Sequence, residues 1–445
     1  MYSLSVNMII KLVLLQIVSL NLFCITWAEY NNVCTYEIAQ SMPENLNFTN
    51  KIGFEPTPTH EALIKAIEDS RSTLRIASFY WTLTPEKEFL GHPSTVPGRK
   101  IMDSLALAAK RGVDLQVILD YSSRKQMSNE DDLVKLKSFG SVKFLNMTRL
   151  LGAGVLHTKF LIADNRTFYV GSSNFDWRSY TQIKEIGIQF NNCTELAQDL
   201  DKVFQTYSLM ADSGMIPDQL PTNLNTMINI GNRLRLRMDS QDTEVFLAGS
   251  PPAFNGQRHW TGRTDDIDGL LSVIDSARHQ IDISVMNYAA RTEFIWPKKF
   301  WPRIDNALRK AAVEKRISVR LLFSDWSHTK TEEIMWYKSL NAIQSDSLKG
   351  GRIHVKLFKV PAFDSFEKSI PYARVKHDKY MVTDNSLYIG TSNWSPDYFI
   401  NTCGVGVIIT PSKDAHQDKA QQLTVVRNMQ TLFDRDFNSE FAHEL

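Results

Sequence analysis

At 445 residues the chain is too long for one ordinary domain and has the length of two domains of roughly 200 residues each. Its 43% of hydrophobic residues is usual for a globular protein, and a formal net charge of +1 excludes the pronounced basicity with which many nucleic-acid binders announce themselves. Any anionic substrate must therefore be drawn by a local cleft.

The amino terminus sets the compartment. Lys11 precedes an apolar run from Leu12 to Trp27, interrupted by Gln16, Ser19 and Asn21 and followed by Ala28-Glu29. At about 16 residues the run is short for a bilayer span of ~20. Residues 1–28 read as a secretory signal peptide cleaved after Ala28, with a retained signal anchor as the alternative. An oxidising compartment favours a disulfide. Cys34 and Cys193 both lie in the first half outside the apparent core strands and are paired here, while Cys403, in a strand-like run to Thr410, reads as a small buried hydrophobe. Sequons at Asn47, Asn146, Asn165 and Asn192 agree with secretion. Asn393-Trp394-Ser395 also matches, but Asn393 belongs to a motif turn and is expected to carry no glycan.

Leu63, Ala66, Ile67 and Arg71, then Leu74 and Ile76, change spacing from three or four to two, which predicts a helix running into a strand. The same set returns as Leu270, Val273, Ile274, Arg278, Ile281 and Ile283 at a constant offset of 207. Ile101, Leu105, Ala108 and Ala109 predict a second helix, repeated as Ile304, Leu308, Ala311 and Ala312, with strands following at 115–120 and 319–324. Residues 211–243, with Pro217, Pro221 and several Asn, read as a linker. The chain divides into a half at 29–210, a linker at 211–243 and a second half at 244–445. Strands alternating with helices predict an α/β fold of two pseudo-symmetric domains, each a mixed, mostly parallel sheet flanked by helices.

Each half carries one copy of a short motif: His157-Thr158-Lys159 with Asp164, and, 220 residues later, His377-Asp378-Lys379 with Asp384. A small-residue turn ending in Asn follows each, Gly171-Ser172-Ser173-Asn174 and Gly390-Thr391-Ser392-Asn393. Residues two apart on a strand share a face, so each His and its Lys can point together. If the strands meet across a pseudo-twofold axis, two imidazoles, two ammonium groups and two amides converge on one point. That combination suits a phosphate: lysine supplies compact charge, and imidazole can be nucleophile, acid or base near neutral pH. Neutralising the anion then needs no metal or other cofactor.

The duplicated His-x-Lys-x4-Asp with its Gly/Ser/Asn turn resembles the hallmark of the phospholipase D superfamily. Val285-Met286-Asn287-Tyr288, Phe300-Trp301-Pro302-Arg303-Ile304-Asp305 and Asp434-Arg435-Asp436-Phe437 narrow the resemblance to its lysosomal branch, which holds the third and fourth mammalian members. This implies two halves sharing one active site and a metal-independent 5′→3′ exonuclease on single-stranded DNA and RNA. The alternative is a phospholipase D or transphosphatidylase acting on phospholipids. Complete motifs count against a non-catalytic relative. The resemblance also implies a homodimer and a lysosomal or secreted destination, with a membrane as partner only if the leader is kept.

The motif residues His157, Lys159, Asp164, His377, Lys379 and Asp384 form the catalytic set, although each Asp ends a strand before a turn, where carboxylates bond to backbone amides and act as structural supports. One imidazole attacks phosphorus while the other serves as acid and then base. Lys159, Lys379, Asn174 and Asn393 hold the phosphate oxygens. Aligning Gly187 with Gly406 sets Glu185 opposite Gly404, so a supporting carboxylate exists in one half alone. Tyr80, Trp81, Tyr288 and Trp326 follow predicted strands and offer faces on which bases can stack.

Overall fold

The computed structural model describes residues 34–256, 261–343, 351–412 and 422–445, so the predicted leader at 1–28 lies outside the described residues. The first half contains β1 (Thr35–Ser41), α1 (Thr59–Asp69), β2 (Thr73–Ser78), α2 (Val96–Lys110), β3 (Asp114–Asp120), α3 (Glu130–Phe139) and β4 (Ser141–Leu145). It is completed by β5 (Phe160–Ala163), β6 (Thr167–Gly171), β7 (Glu185–Asn191) and α4 (Thr194–Ser213). The second half repeats this as β8 (Gln241–Ser250), α5 (Asp266–Ser276), β9 (Gln280–Val285), α6 (Arg303–Val313), β10 (Ser318–Ser324), α7 (Thr331–Asn341) and β11 (Arg352–Phe358). Then come β12 (Lys379–Thr383), β13 (Leu387–Gly390), β14 (Gly404–Pro411) and α8 (Thr424–Phe437).

The duplication seen in apolar spacing is a duplication of topology. One sheet runs β1-β7-β6-β5-β2-β3-β4 and the other β8-β14-β13-β12-β9-β10-β11. The helices form where the periodicity places them: α1 buries Ala62, Leu63, Ala66 and Ile67, and α5 buries Leu270, Val273 and Ile274. One core cluster runs through both halves, joining Phe160, Val170 and Tyr207 to Val382, Val407 and Phe433. Arg263 adds a buried ion pair across the seam, its Nη1 2.9 Å from Asp199 Oδ2 on α4.

Two expectations need correction. The sheets are mixed but not mostly parallel. Parallel pairing joins β2, β3 and β4, and their counterparts β9, β10 and β11, and otherwise two-residue strands, with Thr57–Pro58 beside β1 and Thr264–Asp265 beside β8. Neighbours from β1 through β7 to β2, and from β8 to β9, are antiparallel. Longer parallel neighbours need a long crossover connection, usually a helix, and α2, α3, α6 and α7 provide it for these pairs. Between β5 and β6, Asp164 and Asn165 take positive φ of 52° and 50°, the geometry of a tight hairpin turn. The predicted linker is also shorter than 211–243. Helix α4 runs to Ser213, and a strand Leu234–Met238 pairs antiparallel with β8. Leu234, Leu236 and Met238 alternate with Arg235 and Arg237, whose charges sit on an exposed edge.

Cys34 and Cys193 form a disulfide, with Cα atoms 4.7 Å apart, that ties the start of β1 to the start of α4. Cys403 is buried against Met147, its Sγ 3.4 Å from the thioether sulfur. Asn47 and Asn192 are exposed, Asn146 and Asn165 half-buried, and Asn393 buried.

Candidate active site

The motif strands meet at the seam between the sheets. Leu156 bridges Cys403 in parallel, and Lys376 bridges Lys184. The His157 N–H donates to the Cys403 carbonyl at 3.1 Å and the His377 N–H to that of Lys184 at 2.8 Å. Gly187 opposes Gly171 in one sheet, and Gly406 opposes Gly390 in the other. This register makes Lys184 and Cys403 equivalent by pseudo-twofold symmetry, and likewise Glu185 and Gly404.

Each imidazole is held by the opposite half. His157 Nδ1 lies 2.9 Å from the carbonyl oxygen of Thr391. A carbonyl only accepts, so Nδ1 carries the proton and Nε2 has a free lone pair. His377 Nδ1 lies 2.8 Å from Glu185 Oε2 and 3.0 Å from Oε1. At Gly404, the position equivalent to Glu185, an added Cβ would sit 2.2 Å from Ser392 Oγ and 2.8 Å from Ser250 Oγ, so any side chain there would have to displace both hydroxyls. Both histidines line a cavity of about 650 Å³ together with Asn174, Phe79 and Met286.

Lys159 and Lys379 lie beneath the imidazoles, fully buried, each donating from Nζ at 2.6 Å to the carbonyl of its own motif histidine. Burial pushes the Lys159 pKa well down, and the Lys379 charge adds to the effect. Burial likewise lowers Lys379 to about 7, although Glu185 pulls upward. Both imidazoles are pushed well below their ordinary value, first by burial and then by the two ammonium groups. Burial raises Glu185, against the pull of Lys379. The cluster is thus short of negative charge, and an anion placed over it would raise the affinity of these groups for protons.

The amides of the two turns come next. Asn174 Nδ2 reaches the Tyr80 hydroxyl at 3.5 Å, and Asn393 Nδ2 donates to the Tyr398 hydroxyl at 3.2 Å. Tyr80 in turn donates to Asp176 at 2.8 Å. The rings of Phe79 and Tyr398 flank His157, with centroids 5.2 and 5.0 Å away. Tyr398, and the part played by the Thr391 carbonyl within its turn, are not legible in the sequence because each acts through one contact that no local pattern announces.

Asp164 and Asp384, assigned to the catalytic set by the motif, sit elsewhere. Asp164 follows His157 by seven residues of nearly extended chain, roughly 20 Å. Its carboxylate accepts from the Arg71, Ser72 and Thr73 amides at 2.8 Å each. Asp384 accepts from the amides of Arg278, His279 and Gln280 at 3.0, 3.0 and 3.3 Å. Burial alone would raise the Asp164 pKa, but the amide bonds outweigh it and hold the carboxyl below its usual range. Both aspartates pin the turn from helix to strand, far from the imidazoles.

The stacking residues also need revision. Trp81 is fully buried and stacked on Phe175 with centroids 4.5 Å apart. Tyr288 is buried with its hydroxyl 2.8 Å from Asp305, and Tyr80 is largely buried with its hydroxyl engaged. Only Trp326 keeps a half-exposed ring on the cavity wall.

A family model described as PLD3/4, PLD-like domain, matches residues 57–362. The 5′-3′ exonuclease PLD3 of Xenopus laevis is 39% identical over 411 residues, spanning 92% of this chain and 80% of that protein. The human protein of the same name is 38% identical over 413 residues, covering 93% and 81%. Among solved structures, the phosphatidylserine synthase of Haemophilus influenzae Rd KW20 superposes with a TM-score of 0.55 at 11% identity, over 87% of this chain and 85% of that one, a likeness of fold alone. The repeated topology, the paired His-x-Lys strands and these matches agree: the chain belongs to the PLD3/4 family of phospholipase D-like proteins.

Proposed function

We propose that this protein is a secretory-pathway phosphodiesterase that removes nucleotides from the 5′ end of single-stranded DNA and RNA through a covalent phosphohistidine. The observation that carries the chemistry is the exchange of supports across the seam: each Nδ1 is engaged by the opposite half, which leaves two Nε2 atoms for one cavity. The choice of substrate rests on similarity to proteins named 5′-3′ exonucleases. Support for the compartment comes from the disulfide and from the exposed sequons at Asn47 and Asn192. No helix among the described residues is long and apolar enough to cross a membrane.

The two imidazoles take different roles because their partners differ. His157, with its proton held on Nδ1 by a carbonyl, attacks phosphorus through Nε2, and the bond to the leaving oxygen breaks. His377 donates the proton to that oxygen. Burial keeps charge low in the free His377–Glu185 pair, and an arriving phosphate anion favours the imidazolium form that donation requires. In the second step neutral His377 takes a proton from water, the hydroxide attacks phosphorus, and the P–N bond breaks to return His157. Lys159, Lys379, Asn174 and Asn393 stabilise the charge on the non-bridging oxygens.

The test of substrate is direct. Purified protein should shorten single-stranded oligonucleotides with a free 5′ end, stall when that end is blocked, and tolerate a blocked 3′ end. Turnover of phosphatidyl lipid without loss of oligonucleotide would establish the lipid reading instead. Hydrolysis should persist in excess EDTA, because on this reading the charge of Lys159 and Lys379 neutralises the phosphate. Complete loss on chelation, restored by a divalent ion, would require a different chemistry.

Glu185→Gln probes the asymmetry. Removing the negative charge beside His377 destabilises its imidazolium, so the pKa of the acid falls and the alkaline limb of the pH–rate profile should move to lower pH. The rate should drop on the order of 10²-fold, a general-acid effect. A profile superimposable on the parent would remove Glu185 from the mechanism.

A further inference from the structure

The cavity has an aromatic wall that the catalytic cluster does not use. Tyr372 lines it and is 66% exposed, an unusual state for a ring in an otherwise packed cleft. Its backbone φ of 58° lies in the left-handed region, uncommon for a bulky side chain, so the turn that presents the ring is tightly specified. His328, which does not line the cavity, stacks on Tyr372 with centroids 5.2 Å apart and planes 17° from parallel. Trp326 stands beside both, 4.5 Å from His328 and 6.4 Å from Tyr372, its own ring fixed by Nε1 donating to the Ala373 carbonyl at 3.1 Å. Both ring-bearing segments come from the second half: the loop after β10, and the connection from β11 to His377, which is longer than its first-half counterpart from β4 to His157. Pseudo-symmetry is broken here by added chain, and the added chain supplies a backed aromatic face on the wall of the cavity that holds both histidines.

We propose that Tyr372 and Trp326, with His328 behind Tyr372, form a stacking subsite for an unpaired base of the nucleic-acid substrate; the assignment rests on the exonuclease reading above and deepens it. A planar base is the ligand that best uses such a surface. It covers the exposed ring on its free face, asks for no hydrogen-bond code, and lies beside a phosphodiester held at His157 and His377. Stacking of this kind tolerates any base, since every base has a π-face. The subsite therefore selects unpaired over paired strands without selecting sequence.

The experiment compares two single-stranded oligonucleotides of equal length, one fully base-bearing and one with abasic residues at the first three 5′ positions. For the parent protein kcat/KM should favour the base-bearing substrate by about tenfold or more. Tyr372→Leu and Trp326→Leu should each collapse that ratio toward one, mainly through KM, whereas Tyr372→Phe should keep it. Tyr372 is largely exposed, so its replacement opens no core cavity and provides the decisive variant if Trp326→Leu disturbs the fold. A Tyr372→Leu protein that retains the parent ratio would overturn the subsite, as would equal losses on both substrates. A parent that cleaves both substrates equally well would overturn the subsite and leave the exonuclease reading standing. A parent that cleaves neither would defeat that reading first, and the subsite with it.

Discussion

Alanine at either His157 or His377 is expected to abolish turnover, with kcat falling by at least about 10⁴-fold in each single variant. The size follows from the two-step route, in which the nucleophile and the acid are both obligatory and neither substitutes for the other. The double variant should lose little more than each single one, since residues that act as a unit are not additive. Quenching the reaction with end-labelled oligonucleotide should trap an acid-labile adduct on the peptide holding His157, and His377→Ala should accumulate it if a good leaving group makes the acid dispensable. An adduct on the His377 peptide would exchange the roles; an adduct on neither would reject the covalent mechanism. Substantial activity in either single alanine variant would sink the shared-site model, because each half would then be competent alone.

The largest expected effect on stability is at Lys184, the neighbour of Glu185. Its Nζ is buried between Asp378 and Asp436, 2.7 Å from each. Asp378 also accepts from Ser284 Oγ at 3.1 Å, and Arg435 lies 2.8 Å from Asp436. The arrangement follows from pseudo-symmetry: where the first motif packs Leu156 against Cys403, the second places Lys376 against Lys184, and the carboxylates balance the buried cations. Lys184→Met leaves Asp378 and Asp436 short of a cation in a dry seam and should cost about 3–5 kcal/mol, read as a lowered denaturant midpoint. Replacing all members of the cluster by apolar residues of similar volume should cost far less. Burial would raise Asp436, but Lys184 and Arg435 hold it below its usual range. Its contribution is accordingly present above the unfolded carboxylate pKa and is lost only as pH falls through the lowered folded value. An unfolding midpoint matching the parent at Lys184→Met would show that the cluster contributes nothing net to the seam.

Much of this was legible in the chain itself. The helix-to-strand change of period at Leu63 to Ile76 and its return at offset 207 foretold α1, β2, α5 and β9, because periods of 3.6 and 2 are local properties that burial imposes on any sequence. Direction was not legible. The same apolar strands serve a parallel or an antiparallel neighbour, and the tight turn at Asp164 and Asn165 settled the matter for β5 and β6. The motif marks the imidazoles and lysines that the fold gathers at the seam, yet it also carries Asp164 and Asp384, which are tied to strand geometry at the far end of the same segments.

What the sequence by itself determined is the duplication and the residue types that can handle a phosphodiester: two His-x-Lys strands, two Asn turns, and a carboxylate at 185 with glycine at 404. Which atom holds which was decided only by the tertiary structure. His377 meets Glu185 across 192 residues and His157 meets Thr391 across 234, separations over which no periodicity carries information. The same holds for Tyr372, which reaches the cavity wall through a turn that only the folded second half defines. Hydrophobic pattern is written along the chain because each residue buries against whatever apolar surface is near. A hydrogen bond across the seam needs one donor and one acceptor within about 3 Å, and that coincidence exists only once both halves are folded and docked.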